Sequence, residues 1–157
     1  MATTALEKLR KPQSPEIISK MPKGCESWGP PGATMVISTP QEIDELVRQI
    51  PKGKLATITT LREAIAKRHG TTITCPITTG IFINIVAKAA EEMREMGAKR
   101  LTPWWRMLKS DGTLNEKCPG GSEAQAAHLK AEGFRIAAKG KNRKVVVDFE
   151  RKLAPLA

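Results

Sequence analysis

Residues 59–97, "TTLREAIAKRHGTTITCPITTGIFINIVAKAAEEMREMG", decide the fold class. Thr60 followed by Glu63 has the spacing of a capping box, in which a hydroxyl and a carboxylate satisfy the free N–H groups of a helix start. Leu61, Ala64 and Ile65 then recur at helical spacing, and Gly70 supplies a stop, which leaves Arg62, Lys67 and Arg68 on the outer face. The threonine-rich "TTITCPITT" contains Pro76 and reads as a turn or loop. A further helix is expected from about Thr79 to Met96, ended by Gly97. Phe82, Ile85, Val86, Ala89, Ala90 and Met93 form its core stripe, and Asn84, Lys88 and Glu91 point elsewhere. Two helices joined by a turn, the second opened by small polar residues, predict a helix-turn-helix pair.

Working outward toward the N-terminus, "TPQEIDELVRQI" (residues 39–50) predicts a short amphipathic helix. Thr39 is its N-cap, Pro40 its first residue and Glu42 closes a capping box, with Ile43, Leu46, Val47 and Ile50 on one face. The first 38 residues hold Pro12, Pro15, Pro22, Pro30 and Pro31 with little apolar periodicity, so they read as an extended arm with one docking anchor at Trp28.

Toward the C-terminus the pattern turns short and extended. "LTPWWRML", the turn signal "KSDG" and then "TLN" read as a β-hairpin following the second helix of the pair, where a winged helix places its wing. Ser122 with Gln125 caps one more helix through Glu132, ended by Gly133. "FRIAA" and "KVVVDF" flank the basic loop "KGKNRK" as a second hairpin, and that loop is either a second DNA contact or a solvated turn. The expected class is therefore α+β and mainly helical. It comprises an extended arm over 1–38, a winged helix-turn-helix domain over 39–133 and a C-terminal β-hairpin over 134–157.

Composition narrows the function. At 157 residues there is room for one core, and no apolar run approaches the roughly 18 residues of a membrane span. The basic N-terminus has no apolar stretch behind it, so it does not read as a secretory signal, and a cytoplasmic monomer with no membrane contact is expected. Three cysteines, Cys25, Cys75 and Cys118, without CxxC or His/Cys clustering, argue against both a disulfide framework and a zinc site; no metal or cofactor is expected. Of the net charge of +10, residues 50–110 supply +7, with eleven Lys/Arg against four Asp/Glu, whereas residues 1–49 are balanced. That concentration reads either as the footprint of a polyanion or as a well-solvated basic surface.

Four stretches then come together: "IPKGKLAT" (50–57), the helix-turn-helix, "PWWRMLKSDGTLN" and "GGSEAQAAHLKAEG". Over about residues 39–133 the chain resembles the DNA-binding domain of the O6-alkylguanine-DNA alkyltransferases. Enzymes of that family carry Pro-Cys-His-Arg, where the cysteine accepts the alkyl group and the histidine activates it through a glutamate in the last helix. Here Pro103 and Arg106 remain, Trp104 stands at the cysteine position and Trp105 at the histidine position, and counting from Gly120-Gly121 puts the glutamate position on Ala126. Indole supplies neither a thiolate nor a general base, so no catalytic residue is assigned.

The resemblance therefore points to the alkyltransferase-like proteins, which bind alkylated guanine without repairing it and flag it for other machinery. It implies a lesion pocket at Trp104, Trp105, Lys117 and Cys118, in which Trp104 offers a π-face to a flipped base and Trp105 is mainly packing. Two tryptophans on successive strand positions would point to opposite faces. Duplex DNA would be held through Thr59, Thr60 and Thr79 at helix starts, with Arg106 and Lys109 holding the wing against the backbone. The family's inserted arginine aligns with Ala87, so that role falls to Asn84 or Lys88, and the family's tyrosine aligns with Ile58.

Three other readings stay open at this point: a regulatory or architectural duplex binder without lesion recognition, an alkyltransferase using Cys118 or Cys75, and a docking module in which residues 1–38 and 134–157 hold a repair protein.

Overall fold

In the computed structural model, which describes residues 4–157, the longest element is helix α4 (Pro76–Glu95). Helix α1 (Ala5–Arg10) and helix α2 (Pro40–Arg48) both lie against it. The N-cap Thr39 accepts from the Glu42 backbone N–H at 3.1 Å as the sequence predicts, but the Glu42 carboxylate takes the Ser38 hydroxyl instead of returning to the cap. Ile43, Leu46, Val47 and Ile50 are all buried.

The extended arm expected over residues 1–38 is not observed in the described part of it; residues 1–3 lie outside the described residues. Leu6 and Leu9 of α1 enter the same buried cluster as Ile43, Ile65 and Val86. The start of α1 is satisfied from across the molecule, since Glu92 of α4 accepts from the backbone N–H groups of Ala5 (3.0 Å) and Leu6 (2.9 Å). Further along, β1 (Glu16–Ile18) pairs antiparallel with β2 (Met35–Ile37), and Trp28 is half-buried in a 3-10 turn between them.

Helix α3 (Ile58–His69) begins earlier than its sequence signal implies. Its capping box joins Thr57 and Thr60, not Thr60 and Glu63: Thr57 Oγ1 accepts from the Thr60 N–H at 3.2 Å and Thr60 Oγ1 accepts from the Thr57 N–H at 2.9 Å. Gly70 ends the helix with φ of 66°, a left-handed conformation that costs a side-chain-bearing residue more.

The "TTITCPITT" segment contains strand β4 (Ile73–Thr74), parallel to β2, and α4 starts at Pro76, where a missing N–H costs nothing. The pairing partner comes from residues outside the predicted domain, so no local signal marks this strand.

The wing also differs from expectation. Trp104–Arg106 form a 3-10 turn, not a strand, so the two rings are not displayed on opposite sheet faces. Strand β5 (Met107–Leu108) pairs parallel with β3 (Ala56–Thr57), and the turn closes through Gly112 N–H to the Lys109 carbonyl at 2.9 Å. Thr113 then bridges to Val145 of the C-terminal hairpin, β6 (Ile136–Lys139) with β7 (Arg143–Val146).

Helix α5 (Gly121–Ala131) has Gly120, not Ser122, at its cap. The chain end returns to the centre, with Leu55 N–H donating to the Lys152 carbonyl and Ala154 N–H to the Leu55 carbonyl, both at 2.8 Å. Both flanking segments therefore share their buried clusters with residues 39–133: Leu6, Leu9 and Ala154 in one, Val146 in another.

Candidate nucleic-acid interface

Proline fixes the backbone before Trp104, and the 3-10 turn that follows sends the two indoles into one cluster. Trp104 is 1% exposed and packs with Ala87, Ala90 and Cys118; its Nε1 donates to Glu91 at 3.1 Å. The ring planes of Trp104 and Trp105 meet at 83° with centroids 5.9 Å apart. Trp105 is half-buried and stacks on His128 at 4.3 Å and 13°. Of the four residues expected to line a lesion pocket, the fold brings Trp104, Trp105 and Cys118 together, whereas Lys117 is exposed. The expectation that Trp104 presents an open face is corrected: α4 alanines, Cys118 and neighbouring rings cover it in this conformation.

A carboxylate not singled out in the sequence organises this cluster. Glu132, at the end of α5, accepts from Trp105 Nε1 at 2.6 Å and forms a two-point pair with Arg106, Nε to Oε1 at 3.0 Å and Nη2 to Oε2 at 2.9 Å. Burial acts to raise the Glu132 carboxyl, and the hydrogen bonds from Arg106 and Trp105 outweigh it, holding the group below the usual carboxylate range. Counting from Gly120-Gly121 puts the glutamate position on Ala126, but Ala126 sits in an apolar cluster, and Glu132, which caps the end of α5, is the residue whose carboxylate reaches Trp105. A usable signal was present: Gln125 and Glu132 are seven residues apart, two helical turns, and Gln125 Nε2 donates to the Trp105 and Met107 carbonyls.

Arg106 was expected on the DNA backbone. Its third hydrogen bond, Nη1 to the Ile50 carbonyl at 2.7 Å, completes an internal set, so it is a structural residue. Two of the predicted hydroxyl contacts are likewise spent internally. Thr60 serves the α3 capping box, and Thr79, fully buried, donates to the Cys75 carbonyl at 2.6 Å. Burial pushes the Cys118 thiol up to about 12, with the Lys109 charge acting weakly in the other direction, so it carries almost no thiolate near neutrality. Burial, reinforced by the Arg94 charge, lowers the His128 pKa.

Of the remaining predicted DNA contacts, Thr59 and Lys109 share the region where α3 and α4 begin and the 109–112 turn projects, and Asn84 and Lys88 lie further along α4. Thr59 Oγ1 lies 2.7 Å from Ser110 Oγ, which ties the turn to α3. Lys109 lines a small recess of about 40 Å³ with Ile58, Gly80 and Asn115, and its Nζ is 3.8 Å from Glu116. Asn115 Nδ2 donates to Asn84 Oδ1 at 3.3 Å, and Lys88 is exposed one turn further along α4. Of the α3 cations, Arg68 pairs with Glu42 and Glu45 and Arg62 Nε donates to the Thr74 carbonyl. The basic "KGKNRK" loop braces the 109–112 turn: Arg143 and Lys139 reach Asp111 at 2.7 and 3.5 Å. The Thr113 hydroxyl, helped by these cations, holds the Asp111 carboxyl far below its usual range.

A cavity of about 630 Å³ between α1 and α4 is faced by Glu91, Glu92 and Glu95, which suits that end of it poorly to phosphate. Among the described residues there is no cluster of metal-ligating side chains, and no helix is long and apolar enough to cross a membrane.

No protein-family model matches the chain, and no curated protein matches it. The chain is similar to two solved structures from S. pombe. One is Atl1 in complex with damaged DNA containing O6-carboxymethylguanine, at 19% identity and a TM-score of 0.47 over 73% of this chain and 93% of that one. The other is ATL in complex with DNA, at 18% identity with the same coverage and TM-score.

Proposed function

We propose that this chain is a non-enzymatic duplex-DNA-binding protein of the alkyltransferase-like kind, which recognises O6-alkylguanine and leaves the alkyl group in place for other repair machinery. The observation that carries this reading is the Trp105–Glu132 hydrogen bond inside Pro103-Trp104-Trp105-Arg106. Alkyl transfer needs a thiolate beside a base that a carboxylate orients. Here the carboxylate is present, but it holds an indole N–H that has no lone pair to accept a proton. The nearest thiol, Cys118, is buried and protonated.

DNA contact is supported by the +7 balance of residues 50–110, by Thr59, Ser110 and Lys109 around the α3 and α4 starts, and by Lys88, exposed further along α4. Cations on phosphates supply most of the affinity of such a protein and make it salt-dependent. An alkylated base would be read at the Trp104–Cys118 contact, after the segment carrying Cys118 moves off the ring.

A second reading, duplex binding without lesion recognition, is favoured by the near-complete burial of Trp104. Binding to matched duplexes with and without one O6-methylguanine, at two salt concentrations and with the DNA recovered afterwards, separates the two. Tighter binding to the modified duplex with the methyl group retained supports lesion recognition. Equal binding supports the second reading. A methyl adduct on Cys118 defeats the non-enzymatic reading, and binding insensitive to salt defeats both.

A further inference from the structure

The first turns of α4 carry two isoleucines that the fold leaves in water. Ile77 is 60% exposed and Ile81 52% exposed, and at a spacing of four they sit one above the other on the helix. Gly80 lies on the same side, three residues after Ile77. A glycine inside a helix is destabilising and needs a reason. The protein itself gives none: a Cβ built at Gly80 would meet nothing within 4 Å, and its φ does not require glycine. What an absent Cβ permits there is close approach of something from outside.

The charges bordering this apolar patch define what that is. Lys109 shares the small recess beside Gly80, and Lys88 shares the α4 cleft with Ile81. Arg62 is bonded to the Thr74 carbonyl, two residues before α4 starts, and Lys117 is exposed two residues before Pro119, which lines the same cleft as Ile81. Carboxylates lie here too: Glu116 is paired with Lys109, and the far end of the Ile81–Lys88 cleft carries Glu91, Glu92 and Glu95, of which Glu92 accepts from the α1 N–H groups and Glu91 from Trp104 and Arg94. An apolar ridge bordered by cations fits a ligand that is polyanionic outside and apolar inside, which describes a stacked duplex. An apolar protein surface would offer no anion to Lys88 and Lys117, both exposed.

We propose that Ile77 and Ile81 act as a wedge that enters duplex DNA at a base step and unstacks it, with Gly80 allowing the α4 backbone to approach the groove. This rests on the duplex-binding reading above. Apolar side chains inserted between base steps kink DNA and increase the surface it shares with the protein. Such a wedge opens the helix where a base is to be inspected, and it needs no inserted cation. The expectation that Asn84 or Lys88 fills that role is replaced by residues one and two turns nearer the helix start.

The test uses the full chain and a duplex with 2-aminopurine at a central step, reading anisotropy for binding and 2-aminopurine fluorescence for unstacking. The wild type is expected to bind and to raise the fluorescence. Ile77→Ala/Ile81→Ala is expected to lose about 10- to 100-fold in affinity. It should also lose the fluorescence rise and keep the slope of affinity against salt, since no cation is removed. Alanine is a better helix former than isoleucine, so the exposed double variant should fold, which circular dichroism checks.

Gly80→Ala is expected to raise the melting temperature while weakening binding, a pair of opposite changes that a purely structural glycine would not give. Wild-type binding and unstacking by the double variant overturns the wedge and leaves duplex binding intact, as does wild-type protein that binds without unstacking. Absence of any DNA binding by the wild type defeats the duplex-binding reading itself. Capture of an acidic protein in place of DNA, abolished by the double variant, assigns the patch to a protein partner and overturns the wedge.

Discussion

Trp105 Nε1 donates to the Glu132 carboxylate at 2.6 Å, and that carboxylate is the same one that grips Arg106. One acidic group therefore fixes two consecutive residues of the 3-10 turn, and through Arg106 Nη1 it also reaches the Ile50 carbonyl at the end of α2. A glutamate facing an imidazole could tune a proton transfer; facing an indole it can only orient. The arrangement is a fastener that joins the end of α2, the Trp-Trp turn and the end of α5.

Removing either member of that pair should be costly. Arg106 and Glu132 side chains are 13% and 8% exposed, so deleting one leaves the other as a poorly solvated charge. Glu132→Ala and Arg106→Ala are each expected to destabilise by about 3–5 kcal/mol, read as a lower urea midpoint at unchanged slope. The double variant should cost less than the sum of the two, because neither charge is then left alone. Additive losses would mean that the two side chains act independently.

Acid should weaken the fold in two stages. His128 is lowered, first by burial and then by Arg94, so the folded chain binds fewer protons than the unfolded chain as pH falls below about 6.5, and stability declines there. Glu132 is also held low, so its contribution is complete above about 4.5 and is lost as pH falls through its lower folded value. Chemical denaturation between pH 8 and 3 should show both steps. His128→Phe should flatten the first and Glu132→Gln the second; a His128→Phe variant that leaves the first step unchanged would overturn its assignment to His128.

Elements whose stabilising contacts are local were legible in the sequence. Helix α2 announces itself through Thr39, Pro40 and four apolar residues at helical spacing, and Gly70 and the β6–β7 hairpin are equally self-contained. Helix α1 was missed because it offers only Leu6 and Leu9 as buried side chains, and Glu92, 87 residues away, satisfies its first N–H group. The two-residue strands β3, β4 and β5 pair across long sequence distances and have no period to read. The candidate site failed in the same way. Arg106 in isolation looks like a phosphate ligand, Thr79 in isolation looks like a helix-start donor, and only the fold reveals that each already has a partner.

The three thiols should react very differently. Cys25 is half-buried in an exposed loop, whereas Cys75 and Cys118 are 6% and 5% exposed and Cys118 is pushed up to about 12. Under native conditions at pH 7.5, iodoacetamide is expected to modify Cys25 first. Cys118 should react only on the timescale of unfolding, since the thiolate is the nucleophile. Mass spectrometry of timed samples checks this, and rapid native labelling of Cys118 would return it to consideration as an alkyl acceptor.

On the proposed duplex-binding reading, salt dependence distinguishes cations that touch DNA from cations that hold the protein together. Each phosphate neutralised contributes about 0.9 to the slope of log affinity against log salt. Lys109, on the 109–112 turn and held only by a 3.8 Å surface pair with Glu116, and Lys88, on the exposed side of α4, can reach phosphates, so Lys109→Ala and Lys88→Ala should each reduce the slope by about that amount, with little change in melting temperature. Arg106→Lys should do the reverse. A lysine cannot reproduce the two-point grip on Glu132, so the fold weakens while the slope stays as in the wild type, provided binding is measured well below the melting point. A slope that drops for Arg106→Lys and not for Lys109→Ala would move the DNA from the α3–α4 face to the side of the molecule carrying Arg48, Lys99 and Arg100, where Arg106 borders a cleft of about 490 Å³.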